Sequence, residues 1–140
     1  MTPTIAGLSL GMRRDQVEAI HGIPFTAGLY ENGEVQAVYD FGIVIFDASG
    51  EVRYLFGKAM EIAGQEFAEG GHSDDLDRAA ERVQTVPTEA GYVLVYRCGN
   101  ELLRAKALPS EDGLKLVFFW LGEKNPDPSK LIGQSINTDA

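Results

Sequence analysis

Few residues in this chain could do covalent or metal chemistry. Among 140 residues there are two histidines, His21 and His72, and one cysteine, Cys98. Zinc takes three or four Cys, His or carboxylate ligands, and no pair here has ligand spacing, so neither a metal nor a cofactor is expected. His21 ends a helix-like stretch, where a helix dipole favours a cation. His72 lies in a glycine-rich stretch and reads as a solvated loop residue. Cys98 has no histidine near it in sequence and reads as a structural thiol rather than a nucleophile. There is no Gly-x-Ser-x-Gly elbow and no phosphate loop, and Gly70-Gly71 lack the Lys and Ser/Thr that would follow in one. Asp74, Asp75 and Asp77 are calcium ligands by type, but the glycine and terminal glutamate of a calcium loop are missing, so helix capping is the better reading. Glu31 with Glu34, and Asp40 beside Tyr39, are candidate acid–base pairs that nothing distinguishes from surface carboxylates. The chain is therefore read as a binding protein, not an enzyme.

Recognition chemistry is better supplied. Strand alternation sorts side chains onto two faces. One set is aliphatic: Val38, Val44, Phe46, Leu55, Val93, Val95, Leu103, Ala105, Val117, Phe119 and Leu121. The other mixes rings and cations: Tyr39, Tyr54, Phe56, Tyr92, Tyr96, Arg104, Lys106, Phe118 and Trp120. The first is expected to face covering helices and the second to stay open. Trp, Tyr and Arg carry a large share of binding energy at protein interfaces. A one-residue slip in register would exchange the two sets.

The elements that must position these residues recur. Ile5-Ala6-Gly7 returns as Ile62-Ala63-Gly64, and at the same offset Tyr39 matches Tyr96 and Gly42 matches Gly99. A constant offset marks a duplicated unit. In the first copy, Met12, Val17 and Ile20 fall on one helical face, Gly22 supplies a C-terminal stop and Pro24 forbids continuation. Strands follow over 35–41, 43–47 and 51–56. In the second copy, 61–67 is a lead-in, Ser73 or Asp74 caps a helix over about 75–83, and strands follow over 92–98, 101–107 and 114–121. The expected fold is α+β: two tandem repeats of a short helix plus a three-stranded antiparallel meander, with the sheets joined into one curved surface. Residues 1–60 form the first repeat, 61–122 the second, and 123–140 a loose C-terminal extension.

The net charge of −9 opposes nucleic-acid binding, which rests on Lys and Arg neutralising phosphates. It also opposes an anionic membrane surface. A basic protein partner fits, because complementary charge speeds encounter. A single cysteine forms no intrachain disulfide. With no signal-like apolar core and no stretch long enough to span a bilayer, a cytoplasmic location is expected.

The string IAGLSLGMRRDQVEAIHGIP resembles the helix-opening motif of the lipoprotein family that includes the outer-membrane assembly component BamE. Gly11-Met12, Val17, Gly22 and Pro24 fit it. Arg13 departs from the usual Ser or Thr cap, and His21 stands where that family has leucine. The doubled plan is similar to that of the β-lactamase inhibitory protein, whose two helix-plus-sheet units grip an enzyme. The resemblance implies a protein-binding module, foremost a stoichiometric inhibitor such as a cytoplasmic immunity protein that neutralises a basic toxin domain. Its contacts are expected on Tyr39, Tyr54, Tyr92, Tyr96, Arg104 and Trp120, with Glu31, Glu34 and Asp40 steering the partner. The alternatives are a BamE-like assembly scaffold and a small-ligand-binding domain.

Overall fold

Helix α1 spans Arg14–His21. Its N-cap is Arg13, and a guanidinium has no acceptor with which to cap. The first turn is held instead by Gln16, whose Oε1 accepts the Arg13 amide at 2.9 Å, which is one half of a capping box. Gly22 stops the helix at φ 77, and its amide donates to the Glu18 carbonyl at 2.8 Å. Val17 is the buried residue of the helix. Ile20, expected beside it, is 55% exposed instead.

Helix α2 spans Ser73–Ala79 and differs from expectation at both ends. The cap is His72, not Ser73 or Asp74. Its Nδ1 accepts the Asp74 amide at 3.3 Å, and its Nε2 meets the Asp112 carbonyl. Beyond Ala79 the chain turns extended and enters strand β7 (Glu81–Thr88). Thr85, Val86 and Thr88 have the branched side chains that strands favour. Pro87 is tolerated because among the described residues β7 pairs on one side only, with β8 (Gly91–Cys98).

Residues 2–122 and 131–136 are described by the computed structural model. They form two compact units. The α1 unit (Leu8–Leu55 and Gly122–Ala140) carries β1 (Thr26–Tyr30), β2 (Val35–Tyr39), β3 (Gly42–Phe46), most of β4 (Val52–Gly57) and β11 (Leu131–Ile136), in the order β11-β1-β2-β3-β4. The α2 unit (Met1–Gly7 and Phe56–Leu121) carries a hairpin of β5 (Ala59–Ile62) and β6 (Gln65–Ala68), and a meander ordered β10-β9-β8-β7, with β9 at Glu101–Ser110 and β10 at Gly113–Gly122. Among the described residues eleven strands stand against helices of 8 and 7 residues, so the described chain is mostly β. The expected helix-plus-three-strand repeat is corrected by β1 and β7. Each adds a strand where the sequence shows no clean alternation.

The duplicated residues do fold alike locally. Ala6-Gly7 and Ala63-Gly64 both take left-handed pairs, at φ 54 and 78 and at φ 53 and 81. The second is the two-residue turn of the β5–β6 hairpin. Each helix is entered from a backbone ladder. Gly11 and Met12 bracket Val52, and Gly70 and Gly71 bracket Leu116, with all four hydrogen bonds at 2.8 Å. The Gly42–Gly99 match has no counterpart in structure. Gly42 pairs with Tyr39 inside the sheet, whereas Gly99 lies in the turn closed by Cys98 and Glu101.

Of the segment read as a loose extension, Leu131–Ile136 is a strand antiparallel to β1. The rest of that expectation, 123–130 and 137–140, lies outside the described residues. Among the described residues no helix is long and apolar enough to cross a membrane.

Candidate functional site

Register decides which side chains share a face. In the α2 unit Tyr96 pairs with Leu103 and Leu94 with Ala105, while Phe119 pairs with Ala105 and Leu121 with Leu103. All six are buried. The Tyr96 hydroxyl donates to Asp77 Oδ1 of α2 at 2.7 Å, so this is the helix-covered face. Arg82 closes the same cluster. It donates to Asp77 at 2.6 and 3.0 Å and lies 5.9 Å from the Tyr96 ring centroid. Ring burial and the hydrogen bond to Asp77 hold the Tyr96 phenol well above its ordinary range.

The opposite face is read from the same pairings. One row across it runs Gln84, Val95, Arg104, Trp120, and the next runs Val86, Val93, Lys106, Phe118. A bulge between Leu116 and Phe118 resets the alternation of β10, so that Phe118 and Trp120 point away from α2 while Leu116 stays in the core. Phe56, Phe118 and Trp120 form a ladder, with centroids 5.0 Å apart for the first pair and 5.8 Å for the second. All three rings are half-buried, as are Arg104 and Lys106. Among the described residues no carboxylate pairs with either cation, and Lys106 Nζ donates only to the Thr88 hydroxyl. Half-exposed rings beside cations with no counter-charge form a surface suited to apolar groups and acceptor oxygens.

The predicted contact residues are not all gathered here. Arg104 and Trp120 are, together with the Phe56, Lys106 and Phe118 of their set. Tyr92 and Tyr96 lie on the helix-covered face, Tyr92 half-buried and Tyr96 fully buried. Val93 and Val95, expected on the helix-covered face, lie on the face of Arg104 and Lys106, where Val93 is half-buried and Val95 is still buried. The parity of β8 is thus opposite to the expected one.

In the α1 unit the same inversion affects β2. Ala37 pairs with Val44 and Tyr39 with Gly42, so Tyr39 shares the face of Val44 and Phe46, while Val38 shares that of Ile43. The Tyr39 hydroxyl donates to the Gly22 carbonyl at 3.0 Å, and Arg14 lies 5.7 Å from the Phe46 ring centroid, which places α1 over this face. Tyr39 and Tyr96 therefore match because each ties its helix to its sheet. Tyr54 is also buried, and burial pushes its phenol up to about 12. Glu34 is buried and ion-paired with Arg53, so it is not a steering charge at the surface. Glu31 and Asp40 are exposed.

A second feature has no counterpart in the sequence reading. Behind the α1 C-terminus an open cleft of about 480 Å³ is lined by His21, Ile23, Phe25, Val38, Tyr39 and Asp40. Ile23 is 68% exposed, and Phe25 and Ile20 are each 55% exposed. The signal was available in Gly22-Ile23-Pro24-Phe25. There, two large apolar residues alternate with turn formers and belong to no periodic element.

Among the described residues no three His, Cys, Asp or Glu side chains converge as metal ligands. Cys98 is buried and burial pushes its thiol up, which disfavours the thiolate a nucleophile needs. The sequence matches no protein-family model and no curated protein, and the fold matches no solved structure.

Proposed function

We propose that this chain is a non-enzymatic protein-binding module that holds a partner protein one-to-one on the open face of the α2 unit. The observation that carries this reading is the Phe56–Phe118–Trp120 ladder beside Arg104 and Lys106, two cations with which no carboxylate among the described residues pairs. Trp and Arg dominate interface energetics because they bury large areas and still make directed contacts. The net charge of −9 draws in partners that are basic overall, while the local cations select carboxylates or carbonyls at the point of contact. The resemblance to tandem inhibitors gives the reading its specific form, that of a cytoplasmic immunity protein blocking a toxin. A BamE-like scaffold would use the same surface without inhibiting anything.

The test is calorimetry against a candidate partner. Trp120→Ala should weaken binding by about 2 kcal/mol or more, roughly 30-fold. Gln65→Ala, exposed on β6, should leave affinity within about twofold. Equal affinities for the two variants would refute the surface. Saturable, Trp120-dependent binding of a single-stranded oligonucleotide would replace the protein-binding reading with a nucleic-acid one.

A further inference from the structure

We propose that the cleft behind the α1 C-terminus receives a lysine or arginine side chain presented by an apolar segment of a partner protein. Three independent features select that occupant. The first is shape and apolarity. The volume of about 480 Å³ lies within the range of sites that enclose small organic groups. Its walls include Ile23, Phe25 and Val38, and Ile20, Ile23 and Phe25 are the three most exposed large hydrophobics among the described residues. Apolar surface concentrated in one short segment marks an interaction site rather than scattered exposure.

The second feature is charge. Among the described residues Asp40 is the one carboxylate in the lining, and neither Lys nor Arg lines the cleft. Asp40 takes part in none of the ion pairs of the described residues. Helix α1 also ends here, and the C-terminal end of a helix is the negative end of its dipole. One of its terminal carbonyls, that of Gly22, already accepts from Tyr39. The field in the cleft thus favours a cation and opposes a carboxylate.

The third feature is the arrangement of rings. Tyr39 stacks on Phe41 at 5.2 Å and 15°, and His21 lies 4.6 Å from Phe41. Tyr39 and His21 line the cleft with Phe25. Aromatic faces stabilise a guanidinium or ammonium through their quadrupoles. A long cationic side chain satisfies all three features together. Its methylene stem lies on Ile23, Phe25 and Val38, and its tip reaches Asp40. An uncharged apolar group would fill the walls and leave Asp40 unanswered.

The cleft belongs to the α1 unit and does not depend on the Trp120 face, so the two readings fail separately. The test is a nitrogen-15 amide shift titration of the full chain with two probes, N-acetyl-arginine amide and its uncharged counterpart N-acetyl-norleucine amide. Saturable shifts are expected at residues 21–25 and 38–41 for the arginine amide, with a dissociation constant of order millimolar, as suits a single side chain. Asp40→Asn should weaken the arginine amide about threefold to fivefold while leaving the norleucine amide unchanged. Phe25→Ala should weaken both. Asp40 and Phe25 are exposed, so neither change threatens the fold, and dispersed amide spectra verify this. A non-saturating response at these amides overturns the proposal. So does equal binding of the two probes, or an Asp40→Asn variant that binds the arginine amide as the native chain does.

Discussion

Tyr96→Ala is expected to destabilise the chain by about 3–5 kcal/mol, the range for emptying a buried aromatic site. The residue is fully buried and pairs with Leu103 at the centre of the α2 unit's helix-covered face. Its ring fills the core beneath α2, and its hydroxyl makes one of the sheet's hydrogen bonds to Asp77 in that helix, beside those from Arg82 of β7. Deletion at once opens a cavity and removes one of the helix's anchors. Tyr96→Phe separates the two effects. It keeps the ring, and Asp77 keeps its paired bonds from Arg82, so the loss should be only about 1 kcal/mol. Urea unfolding of both variants measures the difference. If the alanine and phenylalanine variants unfold at the same midpoint, the ring does not support the unit as described.

Gly122→Ala should be nearly as damaging, by about 3 kcal/mol or more. Gly122 sits at φ +80, and an added Cβ would lie 2.0 Å from the Arg53 carbonyl oxygen and 3.3 Å from Leu10 Cδ2. The carbonyl is backbone and cannot swing aside, so the end of β10 must shift. Gly64→Ala is the control. At φ +81 its new Cβ would meet nothing within 4 Å, so only the left-handed strain of about 1 kcal/mol remains. Unfolding midpoints that fall equally for the two variants would show that close backbone approach is not what requires glycine at 122.

How far the sequence could be read follows from where local signals are strong. The six strands after the two helices were legible because each is a branched or aromatic run broken by glycine turns. The stop at Gly22 was legible because only glycine sits comfortably in that backbone. β1, with the run Thr26-Ala27-Gly28-Leu29-Tyr30, has small residues where a strand pattern needs branched ones. β7 carries Glu81, Arg82, Gln84 and Pro87 and looks like a loop, because it is an edge strand among the described residues. Face assignment failed for a sharper reason. Tyr39 and Tyr96 look like interface tyrosines by type, but a phenol can also be a core ring whose hydroxyl reaches a helix, and the two uses read alike in sequence. In β8 that misreading inverted Val93 and Val95 as well. On β9, and on β10 beyond its bulge, the alternation is regular, so Arg104 and Trp120 did reach the open face. The cleft at Asp40 was missed because its walls come from a helix end, a loop and a turn, which no periodicity links.

The protein-binding account can be read directly from one side chain, because Trp120 is the chain's single tryptophan. It is half-buried in the free chain, on the face assigned to the partner. Its emission and its quenching by acrylamide should be followed while a tryptophan-free form of the partner is titrated to saturation. The account predicts a blue-shifted emission and a several-fold fall in quenching, both saturating at one equivalent. A complex that forms by calorimetry while Trp120 keeps its free-state emission and quenching would contradict it.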